Sequence, residues 1–279
     1  MTTIGLTSRR YARMLALGAV VLLAIYVCVA AFFGIFQRRF LYFPAPAYIS
    51  PPAHALPRAE RAMLKSPDGT PLSGWWIPPA DASKRVYVYF HGNADGLDRR
   101  AARFALMSAD GSGVLAMSYR GYGGSGGEPT ETGLHADALA IYRDLVQRVA
   151  AEQIIAFGES LGTGIAIELA RHVKLRAVIL DSPYFSVLRR AQEHFPWLPV
   201  AWLLTDTFRS DRRIGDVDVP ILILHGSADW LIPPHDSDDL ARLAKSGQVR
   251  RIVYPGQAHV VAYDRGPDRD VRAFLAELR

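Results

Sequence analysis

Residues Ile154-Ile155-Ala156-Phe157-Gly158-Glu159-Ser160-Leu161-Gly162 are the stretch around which the rest of the chain is arranged. A run of four apolar residues stops at Gly-x-Ser-x-Gly, and a helical pattern begins at once. A nucleophile elbow requires this strand–turn–helix setting, in which a serine stands at the tip of a tight turn. Gly158 and Gly162 are small enough for such a turn on either side of Ser160. The alternative is a glycine-containing loop whose serine only caps the following helix.

Apolar strand patterns alternate with helical patterns on both sides of this stretch. The strand patterns lie at 85–90, 113–119, 154–157, 176–180, 220–224 and 250–254, and the helical patterns at 97–108, 130–150, 161–172, 237–245 and 268–278. This alternation predicts an α/β fold with a mostly parallel sheet and helices on both faces. A hairpin is predicted over 62–77. The aromatic, proline-bearing residues 184–210 break the rhythm and predict a short helical cap.

The amino-terminal part of the chain contains an apolar stretch without charge or proline, residues 14–36. It is long enough to cross a bilayer core of roughly 30 Å. Its carboxyl end, Ala-Ala-Phe-Phe-Gly-Ile-Phe, is a poor cleavage site, which favours an uncleaved anchor over a signal peptide. We therefore predict a tail and single transmembrane anchor over residues 1–39, and a catalytic domain over residues 40–279.

The charges beside the apolar stretch bear on its orientation. Three arginines precede the stretch and two follow it: Arg9, Arg10, Arg13, Arg38 and Arg39. This slight bias favours an amino terminus on the cytoplasmic side and a catalytic domain on the other side of the membrane. The lipid bilayer is therefore an expected partner of the chain.

A serine, an acid and a histidine follow three of the predicted strands. Ser160 follows the strand at 154–157, Asp229 lies in the loop after 220–224, and His259 lies in the loop after 250–254. In an open parallel sheet, ligands meet the carboxyl ends of the strands. The order Ser, Asp, His is the order of an α/β-hydrolase triad. We expect His259 to take the proton of Ser160 and Asp229 to orient the His259 ring.

Catalysis on Ser160 also requires donors for a developing oxyanion. The backbone amide of Leu161, directly after the serine, is one candidate. The amide of Asn93, in the His91-Gly92-Asn93 loop after the strand at 85–90, is the second, with Ala94 as the alternative.

Several other residues compete with this assignment. For the acid, Asp229 competes with Asp181, at another strand end, and with Asp206 and Asp264. The remaining histidines are interpreted as structural or exposed: His91 and His225 shape loops after strands, His235 lies at a helix start, and His54, His135, His172 and His194 are expected at the surface.

Composition excludes other classes of function. The net charge is +5, but the arginines are spread along the chain without aromatic interleaving, so nucleic acid is not an expected partner. A single cysteine, Cys28, excludes an intrachain disulfide and a cysteine-based zinc site. The glycine-rich loop 120–127 lacks the spacing of a phosphate or dinucleotide fingerprint. We therefore expect no cofactor and no metal, and the sequence does not indicate an oligomeric state.

Several of these motifs together resemble one superfamily. They are Tyr42-Phe43-Pro44, Phe90-His91-Gly92-Asn93-Ala94, Tyr119-Arg120-Gly121-Tyr122-Gly123-Gly124-Ser125, Gly158-Glu159-Ser160-Leu161-Gly162, His225-Gly226-Ser227-Ala228-Asp229 and His259. The chain resembles α/β-hydrolase serine hydrolases over about residues 40–279. It resembles in particular the membrane-anchored branch that includes the Bem-type hydrolases and the eukaryotic α/β-hydrolase-domain depalmitoylases. The resemblance implies Ser160, Asp229 and His259 as the triad.

The expected activity is cleavage of a carboxylic ester or thioester through an acyl-serine intermediate, on a small-molecule, acyl or lipid-like substrate. A peptidase or amidase on the same triad remains an alternative. A non-catalytic membrane-tethered scaffold is the third hypothesis, although a scaffold would be free to lose any of the triad residues.

Overall fold

The computed structural model of the protein describes residues 4–45, 47–245, 247–262 and 265–278. A long helix, α1 (Ile4–Leu41), leads into an eight-stranded sheet. The strands are β1 (Glu60–Lys65), β2 (Pro71–Ile77), β3 (Val86–Phe90), β4 (Gly113–Met117), β5 (Ile154–Glu159), β6 (Ala177–Asp181), β7 (Ile221–Gly226) and β8 (Val249–Tyr254).

The sheet runs in the order β1-β2-β4-β3-β5-β6-β7-β8. The hairpin of β1 and β2 is antiparallel and joins β4 antiparallel, whereas β4, β3 and β5 to β8 are all parallel. β5 lies in the middle of the sheet, and every residue of its sequence IIAFGE is buried. Both faces of a parallel strand are covered by helices, which explains its continuous apolar run.

The helices cover both faces of the sheet. They are α2 (Ala101–Ser108), α3 (Glu131–Leu145), α4 (Leu161–Ala170), α5 (Val187–His194), α6 (Val200–Leu203), α7 (Pro234–Leu243) and α8 (Arg265–Glu277). One core contains apolar side chains of α3, α4 and α7, and the other contains those of α2 and α8. The predicted α/β-hydrolase fold is therefore confirmed. α3 ends at Leu145, five residues before the predicted end, and a short turn follows.

The two short helices α5 and α6 lie within the predicted cap, and they contact α1. Gln37 of α1 donates to the carbonyl of Leu203 at 2.9 Å and accepts from the amide of Thr205 at 2.7 Å. Arg38 forms a 3.0 Å ion pair with Asp206, whose carboxylate also accepts the hydroxyl of Tyr42. The last turns of α1 are therefore fixed to the cap by polar contacts.

Burial divides α1 into two parts. Residues 11–28 are exposed along their whole length, whereas burial begins at Val29 and Ala30. The apolar segment Tyr11–Leu41 is long and apolar enough to cross a membrane, by length and composition. Its exposed part, residues 11–28, is about 27 Å long at 1.5 Å per residue, which is close to the thickness of a hydrocarbon core. The part of α1 from Val29 onward packs against the cap.

Candidate active site

Ser160 stands between β5 and α4 in a backbone conformation that few residues adopt. Its φ is 50° and its ψ is −115°, although serine carries a Cβ. Its amide donates to the carbonyl of Asp181 on the neighbouring strand at 2.9 Å, which helps to hold the turn. Such conformations persist only where the surroundings enforce them, and they concentrate at functional sites. The geometry is that of a nucleophile elbow.

The two glycines of the motif are required by close backbone approaches. A Cβ on Gly158 would lie 2.6 Å from the carbonyl oxygen of Gly162. A Cβ on Gly162 would lie 2.1 Å from the carbonyl oxygen of Phe90, at the end of β3. The strand, the turn and the helix thus pack too closely for any side chain at these positions, as the sequence predicted.

The structure brings Ser160, His259 and Asp229 together in one chain of hydrogen bonds. His259 Nε2 lies 2.9 Å from Ser160 Oγ, and His259 Nδ1 lies 2.7 Å from Asp229 Oδ2. The three residues come from the ends of β5, β7 and β8, and they meet because parallel strands end at one edge of the sheet.

Asp229 is held as an anion by its other neighbours. Its Oδ1 accepts the amides of Leu231 at 3.0 Å and Ile232 at 2.9 Å, and its Oδ2 lies 3.3 Å from Nε2 of His225. Burial opposes ionisation, but the hydrogen bonds from His225, His259 and the Ile232 amide outweigh it and lower the pKa of Asp229 well below its ordinary value. An ionised carboxylate only accepts, so the proton on His259 is at Nδ1, and Nε2 is free to accept from Ser160.

The loop after β3 adjoins the serine. A Cβ on Gly92 would lie 3.6 Å from Ser160 Cβ, and the next residue is Asn93. The backbone amides of Asn93 and Leu161 donate to no acceptor within the described part of the chain. Asn93 itself is fixed on its other sides, because its side chain donates to the carbonyl of Leu41 at 2.9 Å and its carbonyl accepts from the amide of Phe43 at 2.9 Å.

Asp181 is close to the site but does not touch the ring of His259. Its carboxylate accepts the amides of Val261 at 3.0 Å and Ala262 at 3.1 Å, in the loop directly after His259. Val260, between His259 and Val261, has a φ of 63°, which is rare for a β-branched residue, and its amide donates to Ser182 Oγ at 3.0 Å. Asp181 therefore fixes the loop that carries the histidine.

The other competing acids lie elsewhere. Asp206 links α1 to the cap, and Asp264 lies outside the described residues. His91 stacks on Tyr119 with ring centroids 3.8 Å apart, and burial lowers its pKa to about 3, as fits a neutral structural histidine. His135, expected at the surface, is half-buried in the structure: its ring packs edge-on against Phe208, and burial lowers its pKa to about 4.

A family model described as serine aminopeptidase, S33, matches residues 81–212 and 203–266. The chain belongs to this family. It is thus an α/β hydrolase, and the resemblance seen in the sequence motifs is confirmed at the level of the superfamily.

Known proteins similar to this hydrolase include one of Mycobacterium tuberculosis, whose function is uncharacterised. The two are 35% identical over 226 residues, which cover 80% of each chain. Lysophosphatidylserine lipase ABHD12 of Danio rerio is 34% identical over 179 residues, covering 57% of this hydrolase and 47% of that lipase. An esterase of Pyrococcus furiosus shares the fold, with a TM-score of 0.67 and 22% identity over 85% of this chain and 98% of its own.

Two buried arginines of this hydrolase were not anticipated from its sequence. Arg100 lies 2.6 Å from Glu159 Oε1, and Arg103 lies 3.0 Å from Glu159 Oε2 and 2.5 Å from Asp181 Oδ2. The hydroxyl of Tyr89 also donates to Glu159. The one available signal was Glu159 itself, a charged residue at the buried end of a central strand, which requires partners when it is ionised.

Proposed function

We propose that the protein is a membrane-anchored serine hydrolase that cleaves a carboxylic ester or thioester through an acyl-serine intermediate. The observation that carries this proposal is the continuous hydrogen-bond chain Ser160 Oγ–His259–Asp229, on a serine with a φ of 50°. Serine is a weak nucleophile without a base, and this chain provides one.

In the proposed first half-reaction, His259 acts as the base for Ser160. His259 Nε2 accepts the Ser160 proton while Oγ bonds to the substrate carbonyl carbon, and Asp229 stabilises the resulting imidazolium. The imidazolium then gives this proton to the leaving alcohol or thiol, and the bond between the carbonyl carbon and that leaving group breaks. In the second half-reaction, water gives a proton to His259 and attacks the acyl-serine. The carboxylic acid leaves and Ser160 regains its proton.

The amides of Asn93 and Leu161 are the proposed oxyanion donors. Both lack an acceptor among the residues that the structure describes, and both belong to segments that adjoin Ser160. Donors held in advance toward a developing negative charge stabilise the transition state without reorganisation. Ala94 is the alternative to Asn93, and its isolated bridge to Phe43 makes it part of the same fixed loop.

Membrane attachment is proposed from the two parts of α1. Residues 14–28 are exposed and carry no charge, and large aromatic side chains are exposed on the cap and beside Asp229: Trp197 at 51%, Trp202 at 90% and Trp230 at 80%. Tryptophan is favoured at the membrane–water interface. We propose a single-pass protein whose catalytic domain lies on the non-cytoplasmic side, and proteolysis of intact spheroplasts tests this orientation.

The enzymatic proposal is tested by labelling the full-length protein in detergent with a fluorophosphonate probe. The wild type is expected to be labelled, whereas Ser160→Ala is not. Folded wild-type protein that resists the probe would contradict a reactive serine, and equal labelling of both proteins would exclude Ser160 as the nucleophile. Hydrolysis of matched p-nitrophenyl esters and acyl-thioesters then separates the two bond types.

A peptidase or amidase is the second candidate, because the matching family model is described as a serine aminopeptidase. Ser160, His259 and Asp229 would hydrolyse a peptide or amide bond by the same steps, with an amine as the leaving group. Aminoacyl p-nitroanilides test this candidate. Faster turnover of these anilides than of the p-nitrophenyl ester of the same amino acid, at equal concentration, would favour the peptidase.

A further inference from the structure

An apolar cavity of about 390 Å³ lies between the end of α1 and the cap. Its lining includes Phe33 and Leu41 of α1, Ala191, Leu198 and Leu203 of the cap region, and Leu231. Ligand pockets of small molecules typically have volumes of about 300–1,000 Å³. The cavity is therefore large enough for a ligand, and its wall contains the helix proposed as the membrane anchor.

Hydrogen bonds connect two residues of the cavity wall to the candidate active site. The carbonyl of Leu41 accepts from the side chain of Asn93, whose amide is a proposed oxyanion donor. The amide of Leu231 donates to Asp229 Oδ1 at 3.0 Å. Two lining residues are thus directly bonded to residues of the site, one beside the oxyanion and one beside the triad acid.

Three polar side chains lie in the wall of the cavity: Gln37, Arg190 and His194. Arg190 forms ion pairs with Asp236 Oδ2 at 3.0 Å and with Glu193 Oε2 at 2.6 Å. Gln37 is hydrogen-bonded to Leu203 and Thr205, and His194 Nδ1 lies 3.1 Å from the carbonyl oxygen of Arg190. Because two carboxylates balance the charge of Arg190, the cavity offers a ligand mainly apolar contact. A polar or charged ligand would lose its hydration there without compensation.

We propose that this cavity binds the single acyl chain of the substrate, with the ester at Ser160 and the chain running along α1 toward Phe33. The proposal rests on the ester hydrolase function proposed above, and it names the class of substrate. From Leu41 to Phe33 is about 12 Å at 1.5 Å per residue of helix. An extended chain advances about 1.2 Å per bond, so roughly ten carbons reach from one end to the other.

A membrane helix in the wall also indicates the source of the chain. Phe33 lies only a few residues beyond the exposed, apolar part of α1. An acyl chain in the cavity would therefore point from the active site toward the bilayer. A single-chain lipid that leaves the membrane would enter the cavity from that side. We infer that the substrate is an amphiphile with one acyl chain rather than a water-soluble ester.

The experiment uses full-length protein in phosphatidylcholine vesicles and p-nitrophenyl esters from acetate to palmitate. For the wild type, kcat/KM is expected to rise by up to about fourfold per methylene and to level off near ten carbons. Ala191→Trp fills the cavity and should lower the ratio of decanoate to butyrate kcat/KM at least tenfold. Ala201→Trp, on the exposed side of α6, is the matched control and should keep the wild-type ratio.

Phe33→Ala removes the far wall and should move the chain length at which kcat/KM levels off to longer esters, a change that a misfolded protein would not produce. Partitioning of each ester into the vesicles is the same for all variants, so their differences report on the cavity. Esters hydrolysed equally well at all chain lengths, or an unchanged dependence on chain length in both cavity variants, would overturn the acyl site alone. Wild-type protein without ester hydrolysis or fluorophosphonate labelling would overturn the proposed function itself.

Discussion

Arg103 forms a 2.5 Å ion pair with Asp181, and Asp181 in turn accepts two amides of the loop that carries His259. The same guanidinium lies 3.0 Å from Glu159, the residue before Ser160. One buried side chain therefore connects the segments that carry Ser160 and His259, two residues of the proposed triad that are far apart in the sequence. This connection leads to the first prediction.

Replacing Arg103 by methionine is expected to lower the free energy of unfolding by about 3–5 kcal/mol, because two buried carboxylates lose a partner. Urea unfolding of the detergent-solubilised protein measures the change. Arg99→Met alters an exposed neighbour and should change stability by less than about 0.5 kcal/mol. Equal stability of the two variants would show that the ion pairs of Arg103 do not stabilise the fold.

The acidity of Glu159 should be visible in the pH dependence of stability. Burial opposes ionisation, but Arg100 and Arg103 outweigh it and lower the pKa of Glu159 from 4.5 to about 2. Since the folded-state pKa is the lower one, the carboxylate stabilises the protein above about pH 4.5, and this contribution is lost as the pH falls toward 2. Between pH 7 and pH 3, the contribution of Glu159 to the free energy of unfolding should fall by about 2 kcal/mol.

Glu159→Gln isolates this contribution, because glutamine does not titrate. The loss of unfolding free energy between pH 7 and pH 3 should be about 2 kcal/mol smaller in the variant than in the wild type. Comparing each protein with itself removes the constant cost of the substitution. Identical losses in both proteins would mean that Glu159 titrates with an ordinary pKa.

Asp229→Asn should lower kcat for a p-nitrophenyl ester by about 10⁴-fold, because the amide group no longer favours the required tautomer of His259 or stabilises its imidazolium. Asp218→Asn, at an exposed position before β7 and thus at the opposite end of that strand from Asp229, serves as the control and should retain wild-type turnover. Near-normal activity of Asp229→Asn would show that Asp229 does not act as the acid of the triad.

The backbone of Ser160 allows a test by stability alone. Glycine adopts a φ of 50° without the steric cost that a Cβ imposes, so Ser160→Gly should raise the free energy of unfolding by about 1 kcal/mol. Ser160→Ala keeps the Cβ and should gain less, although both variants are inactive. Thermal unfolding compares them, and a glycine variant no more stable than the alanine variant would argue against strain at the elbow.

The sequence predicted the residues that strand ends bring together, and it missed those that only packing brings together. Ser160, Asp229 and His259 each follow a strand of one parallel sheet, so their proximity follows from topology. The role of Arg103 does not, because its carboxylate partners lie on β5 and β6 and helix periodicity carries no information about them. For the same reason, the sequence placed Asp181 near the site but did not show that it binds the loop that carries His259.

The boundary of the apolar helix shows a second limit of prediction from the sequence. Residues such as Phe33 and Leu41 have the composition of a membrane span, and apolar side chains look alike whether they contact lipid or protein. The division of the chain into an anchor and a catalytic domain between residues 39 and 40 therefore remains a prediction. The helix continues to Leu41, and it packs on the cap from Val29 onward.

The junction between α1 and the loop after β3 has a mechanical consequence. Leu41, the last residue of the helix, and Phe43 are both bonded to Asn93, so hydrogen bonds connect the end of the helix directly to the proposed oxyanion loop. In the membrane-anchored form proposed above, a bilayer thicker or thinner than the exposed part of the helix would change the tilt of that helix. Such a tilt would displace the proposed amide donors, and the turnover rate would then depend on the thickness of the bilayer.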